Sequence, residues 1–297
     1  MQSKDDIKRE IYSRIEEIRG DNIHGATYLT LKAIDIVHFT SEILHRFKEN
    51  EKSDILRYLC NNLKSAQPRM ASILNLSLGM NRLIEGADPT AIDNSLRSFY
   101  ESFEKNFKEA NERIPEIASS LVESGNVICT HSSSSLVKKA IMIANRSYDD
   151  ITAICTESRP ALEGIDTAKS LSENGVNTKL ITDSAVFKFL QDSDIVLVGA
   201  DHVSEDGVEN KVGTLGISSF CKKIRIPVYA LCQTSKIIRK DLIAKEEKKD
   251  PREIMDEKIE GLEVLNYYFE SSPLDNFQGI VTEKGILNDK EIIDMIG

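Results

Sequence analysis

The sequence predicts an α/β protein in which an N-terminal all-helical domain precedes a Rossmann-like domain built on a mostly parallel, doubly wound sheet. Two observations carry this prediction. Apolar residues recur at helical spacing up to about residue 120, whereas short β-branched runs alternate with helical segments from Asn126 onward. Because the periodicity changes there, we expect a helical domain over residues 1–120 and a Rossmann-like domain, holding a phosphosugar pocket, over 121–297.

The helical domain begins with a charged amphipathic segment from Ser3 to about Arg19, in which isoleucines recur on one face. The stretch around His24, Gly25 and Ala26 interrupts it. Bare amides at the entrance to the following helix can bind an anion, although a simple helix–helix turn explains the break equally well. Further helical segments are predicted to about Lys48 and over residues 53–63, 70–84, 92–107 and 114–123.

Five strand-like runs follow, joined by helical segments, and this alternation is typical of right-handed βαβ units. We also expect a charged helical insert from about Lys240 to Glu260 and a last pair of strands near 264–269 and 279–281. The five runs are 127–130, 151–155, 178–182, 195–198 and 228–231, and the helices between them are 136–145, 161–174, 185–190 and 215–223.

The fourth run, Ile195–Val198, is followed by residues that fit a ligand. Asp201 stands beyond the carboxyl end of this strand, where ligands of open α/β sheets bind. After a polar turn, Asn210-Lys211-Val212-Gly213-Thr214 precedes a helix and supplies amides, a cation and a hydroxyl, which suit a phosphate. A polar loop with an ordinary helix cap is the alternative. We favour a ligand site, because an acid and an anion-binding segment follow the same strand.

Polar residues also follow the other predicted strands. The first run is followed by His131 and four serines, the second by a glutamate and an arginine, and the fifth by Lys236. Helix capping explains any one of these clusters, but their recurrence at one sheet edge favours a shared polar pocket. The residues that we expect to bind a phosphorylated small molecule there are Ser133, Ser134, Glu157, Arg159, Asn210, Lys211, Gly213, Thr214 and Lys236.

Composition excludes several classes of function. The 297 residues carry a net charge of −10 without a basic stripe, so we expect no direct binding of nucleic acid. No apolar run is long enough to cross a bilayer and no signal peptide is evident, so we expect no membrane association. Five scattered cysteines without CxxC spacing indicate reduced thiols and a cytoplasmic location. We expect no metal and no cofactor, since metal-ligand spacings and the usual glycine-rich nucleotide loops are missing.

Four motifs resemble one family when taken in order: ESRPALEG at 157–164, LITDSAV at 180–186, VLVGADHV at 196–203 and NKVGT at 210–214. This is the translation initiation factor 2B alpha/beta/delta family, which also contains isomerases of ribose 1,5-bisphosphate and methylthioribose 1-phosphate. The resemblance implies a helical domain plus a Rossmann-like domain, assembly as a homodimer or higher homo-oligomer, and subunits of translation initiation factor 2 as a further class of partner.

The resemblance also implies catalytic positions. The family's isomerases use a cysteine after the first strand and the aspartate of the GAD motif as an acid/base pair. This chain keeps the acid as Asp201, but it reads Thr130-His131-Ser132 where the isomerases have Thr-His-Cys, and a serine hydroxyl is far less acidic than a thiol. The isomerases' Arg-Gly-Ala is here His24-Gly25-Ala26, which removes a permanent cation from an expected phosphate contact.

Three hypotheses follow. The first, which we favour, is a regulatory or assembly protein of the initiation factor 2B-related group that binds a phosphorylated sugar or nucleotide. The second is a ribose 1,5-bisphosphate isomerase-like aldose–ketose isomerase, with Asp201 and either His131 or Ser132 as its acid/base residues. The third is a structural subunit whose pocket is vestigial. Retention of Asp201 favours a working site, whereas the two departures weigh against an intact isomerase.

Overall fold

The computed structural model describes residues 3–21, 25–86 and 91–296. The chain divides into two compact units, Met1–Glu109 with Asp241–Ala244, and Ala110–Lys240 with Lys245–Gly297. This division falls inside one long helix, α5 (Ile92–Ser119). The boundary that the sequence predicts at residue 120 lies at the end of that helix and stays a prediction.

The first unit is helical, and its first helix shows why. The Ser3 hydroxyl accepts a hydrogen bond from the Asp6 amide while the Asp6 carboxylate accepts one from the Ser3 amide, so both orphan donors are satisfied. The four isoleucines of this helix are buried in the core of the unit. The helices are α1 (Lys4–Arg19), α2 (Ala26–Leu44), α3 (Glu49–Ala66), α4 (Ala71–Gly86) and the first part of α5.

The sequence predicts two helical segments over 92–107 and 114–123, whereas the structure joins them into one helix. The helix α5 continues through that stretch and carries Pro115 inside it. The intervening residues are mostly Lys, Glu, Ala and Arg, which are good helix formers, so their lack of apolar periodicity does not end the helix.

The second unit is built on a seven-stranded sheet. Its strands are β1 (Val127–Thr130), β2 (Thr152–Thr156), β3 (Asn177–Ile181), β4 (Ile195–Gly199), β7 (Val228–Leu231), β9 (Gly279–Thr282) and β10 (Gly285–Leu287); the helices are α6 (Ser135–Ser147), α7 (Glu163–Glu173), α8 (Val186–Phe189), α9 (Thr214–Ile224) and α10 (Asp289–Ile296). The strand order is β10-β9-β7-β4-β1-β2-β3, parallel except for β10. The predicted α/β class and all five predicted strand runs are confirmed, with bounds shifted by a residue at most. The strands β2 and β3 lie on one side of β1, and β4 lies on its other side.

A second sheet of three antiparallel strands follows β4. It consists of β5 (His202–Ser204), β6 (Gly207–Lys211) and β8 (Phe269–Ser272). The expected pairing of strands near 264–269 and 279–281 is therefore wrong, because β8 pairs with β6 whereas β9 pairs with β7. The sequence pattern hides β6 because its buried positions include charged and polar side chains, which read as a loop.

The predicted helical insert over 240–260 is also wrong. Only two short 3-10 turns form, at Lys240–Leu242 and Pro251–Glu253. Side chains compete here with a helical backbone: Asp250 accepts a hydrogen bond from the Arg252 amide, and the Glu246 carboxylate accepts the amides of Tyr268 and Phe269. No helix among the described residues is long and apolar enough to cross a membrane.

Candidate functional site

The candidate site lies at the carboxyl ends of β1 and β4, where the strand order reverses and where open α/β sheets bind ligands. Gly199, the last residue of β4, permits a close approach of Ser134. A Cβ on Gly199 would lie 2.8 Å from the Ser134 Cβ, so a side chain does not fit there. Ser134 caps α6 by accepting a hydrogen bond from the Val137 amide at 3.4 Å, and Ser133 beside it is exposed.

His131, one of three predicted catalytic residues, is buried and fully engaged. Its Nε2 lies 2.8 Å from the Val212 carbonyl oxygen, and its Nδ1 lies 2.6 Å from the Thr156 hydroxyl. A carbonyl oxygen only accepts, so Nε2 carries the hydrogen and Nδ1 accepts from Thr156. Burial lowers the pKa of His131, which favours the neutral ring. The imidazole therefore ties β1 to β2 and to the segment before α9.

Ser132, the second predicted catalytic residue, is bonded to an ion pair. Its backbone adopts a left-handed φ of 72°, and its amide donates to the Ser158 hydroxyl at 2.8 Å. Its own hydroxyl donates to Glu163 Oε1 at 2.7 Å, and the same oxygen lies 2.8 Å from Lys211 Nζ. The serine proton is thus directed at a carboxylate of the protein.

Lys211 is buried, with only 4% of its side chain exposed, although it carries a charge. Two contacts compensate for the loss of water: the Glu163 carboxylate, and the ring of Tyr268, whose centroid lies 4.3 Å from Nζ. The Tyr268 hydroxyl donates to Glu253 at 2.5 Å, and burial, with the nearby Glu253 carboxylate, raises the pKa of Tyr268.

The predicted anion-binding segment before α9 already has partners within the chain. Asn210 Nδ2 donates to the Thr214 hydroxyl at 3.0 Å, and that hydroxyl donates to the Lys211 carbonyl at 2.7 Å. The amides of Gly213 and Leu215 both donate to Glu270 Oε1, at 2.7 and 2.9 Å. A carboxylate from β8 thus stands where the sequence places the anion of a ligand.

The loop after β2 is held by a single carboxylate. Asp183 accepts the amides of Ser158 and Arg159, each at 2.7 Å. The exposed Arg159 guanidinium donates to the Glu253 carbonyl at 2.9 Å, at one side of an open groove. Glu157 is half-buried, and its amide donates to the Ile181 carbonyl at 2.8 Å.

Asp201, the third predicted catalytic residue, lies beyond the end of β4 and is partly exposed. Its amide donates to the Glu209 carbonyl at 2.9 Å, and Lys236 Nζ donates to the neighbouring Ala200 carbonyl at 3.1 Å. Cys232 follows β7 close to these charges, but burial raises the pKa of its thiol to about 12. Burial likewise raises the pKa of Cys129, so neither thiol is a ready proton donor.

Two predicted residues lie in the first unit. Gly25 precedes α2 in an extended conformation, and Ala26 is its first residue. His24 lies outside the described residues. Within the described part of the chain, no group of three or more His, Cys, Asp or Glu side chains is placed to hold a metal ion.

Three glutamates of the site, Glu163, Glu253 and Glu270, were not predicted from the sequence. Glu163 carries a detectable signal, because it lies inside a quoted motif at the first turn of α7. Glu253 carries no such signal. Glu270 lies in the segment VLNYYFESSPLDNFQGIVTEKG at 264–285, which also resembles the family, but the sequence does not place it beside the start of α9. Each is brought to the site from a distant part of the chain by the second sheet and the irregular segment before it.

Comparison with known proteins agrees with this fold. A profile of the Initiation factor 2 subunit family matches residues 22–289. A translation initiation factor eIF-2B subunit 2-like protein of Pyrococcus furiosus is 31% identical over 283 residues, which cover 95% of this chain and 97% of that protein. Ribose 1,5-bisphosphate isomerase of Methanocaldococcus jannaschii is also 31% identical, over 306 residues that cover 96% of this chain and 92% of the isomerase.

A solved structure is similar over nearly the same length. The translation initiation factor eIF-2B of Pyrococcus horikoshii OT3 superposes with a TM-score of 0.75 at 28% identity, covering 94% of this chain and 96% of that one. A protein named as a factor and one named as an isomerase are thus equally similar to this chain over more than nine-tenths of its length, so overall similarity does not decide between the two functions.

Proposed function

The chain belongs to the Initiation factor 2 subunit family, and on that premise we propose that it is a regulatory or assembly protein that binds a phosphorylated sugar or nucleotide without isomerising it. The observation that carries this proposal is the hydrogen bond from Ser132 Oγ to Glu163 Oε1 at 2.7 Å. At the position where the resemblance implies a catalytic thiol, the chain has a weakly acidic hydroxyl whose proton is held by a carboxylate.

The other candidate proton donor does not replace that thiol. Aldose–ketose isomerisation needs a general acid and a general base beside the sugar carbons that react. Both ring nitrogens of His131 are engaged by Thr156 and Val212, and its lowered pKa leaves little imidazolium near neutral pH. Of the three predicted catalytic residues, Asp201 alone combines an acid–base group with partial exposure.

Ligand binding needs hydrogen-bonding groups and cations but no acid–base pair, and the carboxyl edge of the sheet offers such groups. Asp201 and Glu157 supply carboxylates for sugar hydroxyls, Ser133 supplies an exposed hydroxyl, and Arg159 and Lys236 supply cations for a phosphate. Ser134, Asn210, Lys211, Gly213 and Thr214 are hydrogen-bonded or ion-paired within the chain, so we assign them to the wall of the proposed pocket. The involvement of His24, Gly25 and Ala26 remains a prediction from the sequence.

Isomerisation is the second candidate function, and one observation favours it. Asp201, the acid that the resemblance assigns to the isomerases, stands at the carboxyl end of β4. Similarity to a named ribose 1,5-bisphosphate isomerase is compatible with either candidate, because an equally similar relative is named as an initiation factor.

A thermal-shift screen against sugar phosphates and nucleoside monophosphates tests the proposed binding. A ligand present at about 100 times its Kd stabilises the folded protein by about 2.7 kcal/mol, which raises the unfolding temperature measurably. We expect at least one phosphorylated compound to do so, whereas ribose and adenosine without phosphate do not. If no phosphorylated compound raises the unfolding temperature, the third hypothesis, a vestigial pocket, replaces this proposal.

A further inference from the structure

Two of the chain's own carboxylates occupy the part of the site that the sequence assigns to an anion. Glu163 Oε1 lies 2.8 Å from Lys211 Nζ, and Glu270 Oε1 accepts the amides of Gly213 and Leu215. Lys211, the one buried Lys or Arg among the described residues, is therefore ion-paired within the chain, and the amides at the start of α9 are hydrogen-bonded within it. A phosphate arriving there would have to displace a carboxylate, which gives it little net gain.

The two carboxylate oxygens of Glu163 differ in their hydrogen bonding. Oε2 is buried and has no hydrogen-bond partner among the described residues, while Oε1 is bonded twice. A buried acceptor left unpaired costs free energy, so it favours a ligand that brings a donor. About a quarter of the Glu163 side chain is exposed, in contrast to the enclosed Lys211, so a ligand can contact this side chain.

We propose that Glu163 is a specificity-determining residue of this site, because it neutralises Lys211 and turns the NKVGT side of the pocket toward ligand hydroxyls instead of a phosphate. The ligand class that follows is a sugar or nucleoside carrying a single phosphate group. This inference rests on the proposed function. It deepens it by predicting that a second phosphate on the same sugar weakens binding.

Titration calorimetry on the full chain tests the inference with two matched pairs of probes. Ribose 5-phosphate is compared with ribose 1,5-bisphosphate, and AMP with adenosine 3′,5′-bisphosphate, so each pair differs by one phosphate. The variants form a charge series at one place: Lys211→Met leaves the carboxylate alone, the natural protein holds a neutral pair, and Glu163→Gln leaves the ammonium alone. Asp166→Asn is the matched control, since it removes an exposed carboxylate from the same helix.

The natural protein should bind the monophosphate of at least one pair more tightly than the bisphosphate. In Glu163→Gln we expect the affinity for the bisphosphate to rise about tenfold or more relative to the monophosphate, because an unpaired ammonium gains a charge-assisted bond. Lys211→Met should shift the ratio the opposite way, and Asp166→Asn should leave it unchanged. Lys211→Met also tests the inference if the Glu163→Gln variant does not fold.

The two proposals fail in different ways. Tighter binding of the bisphosphates by the natural protein, or a ratio that does not follow the charge series, overturns the role of Glu163 and leaves the proposed function standing. Absence of binding of all four probes to the natural protein overturns the proposed function itself.

Discussion

Ser132 and Glu163 are joined by a hydrogen bond of 2.7 Å from Oγ to Oε1, although they belong to different βα units. The contact brings the loop after β1 onto the first turn of α7. Since Glu163 Oε1 also binds Lys211, three segments of the second unit meet at one oxygen atom. Substitutions at Ser132, Lys211 and Glu163 therefore test three different properties: isomerase activity, stability and ligand preference.

Ser132→Cys should introduce isomerase activity if the rest of the site is competent. A thiol has an ordinary pKa near ~8.5 and donates a proton far more readily than a hydroxyl, and one acid–base group contributes about 10²–10⁴ in rate. Conversion of ribose 1,5-bisphosphate by the variant, followed by phosphorus NMR, measures this. Adding Asp201→Asn should abolish the gain; activity that survives this second change shows that Asp201 is not the partner.

Lys211→Ala should destabilise the protein by about 3 kcal/mol, because it leaves the Glu163 carboxylate without its counter-ion in a mostly buried place. Urea unfolding gives the difference in free energy. Lys222→Ala is the control, because Lys222 and Asp275 form a pair at 2.8 Å in which each side chain is about half exposed or more. For this variant we expect the free energy of unfolding to fall by less than about 1 kcal/mol. Equal losses of unfolding free energy in the two variants would show that the buried pair stabilises the protein no more than the exposed pair does.

Stability should fall as the pH drops below about 6.5. Burial lowers the pKa of His131 in the folded protein, so the unfolded chain binds the proton more readily. The stability linked to the neutral ring is complete above the unfolded pKa and is lost as the pH falls from there toward the folded pKa. In urea unfolding between pH 7.5 and 5, His131→Gln should show a shallower loss than the natural protein, whereas His45→Gln, at an exposed position, should not. Identical slopes in all three proteins exclude His131 as the cause.

The protein should form a homodimer or a higher homo-oligomer at micromolar concentration, as family membership leads us to expect. Of the apolar residues near the start of α9, Ile217 is buried in the chain's own core, whereas Leu215 is 37% exposed and is the better candidate for an interface. Light scattering gives the mass directly, and Leu215→Glu should lower it. A monomeric mass for the natural protein removes this prediction.

The sequence predicts local structure well wherever a short pattern decides it. The isoleucines of α1 and the β-branched run of β4 are both read from a few neighbouring residues. Patterns fail where tertiary contacts decide: Lys211 reads as part of a polar loop, yet it is a buried strand residue because Glu163 and Tyr268 compensate its charge. The contacts of Glu270 with the start of α9 are not predictable for the same reason, since its partners lie more than fifty residues away.

Incubation of the unmodified protein with ribose 1,5-bisphosphate, followed by phosphorus NMR, distinguishes binding without isomerisation from a working isomerase. Because Ser132 is bonded to Glu163 and burial lowers the pKa of His131, the expected result is that the sugar remains an aldose, or that only a trace is converted, at concentrations of ribose 1,5-bisphosphate at which calorimetry shows it bound. Rapid formation of the ketose by the natural protein would contradict it and would identify the chain as a working isomerase.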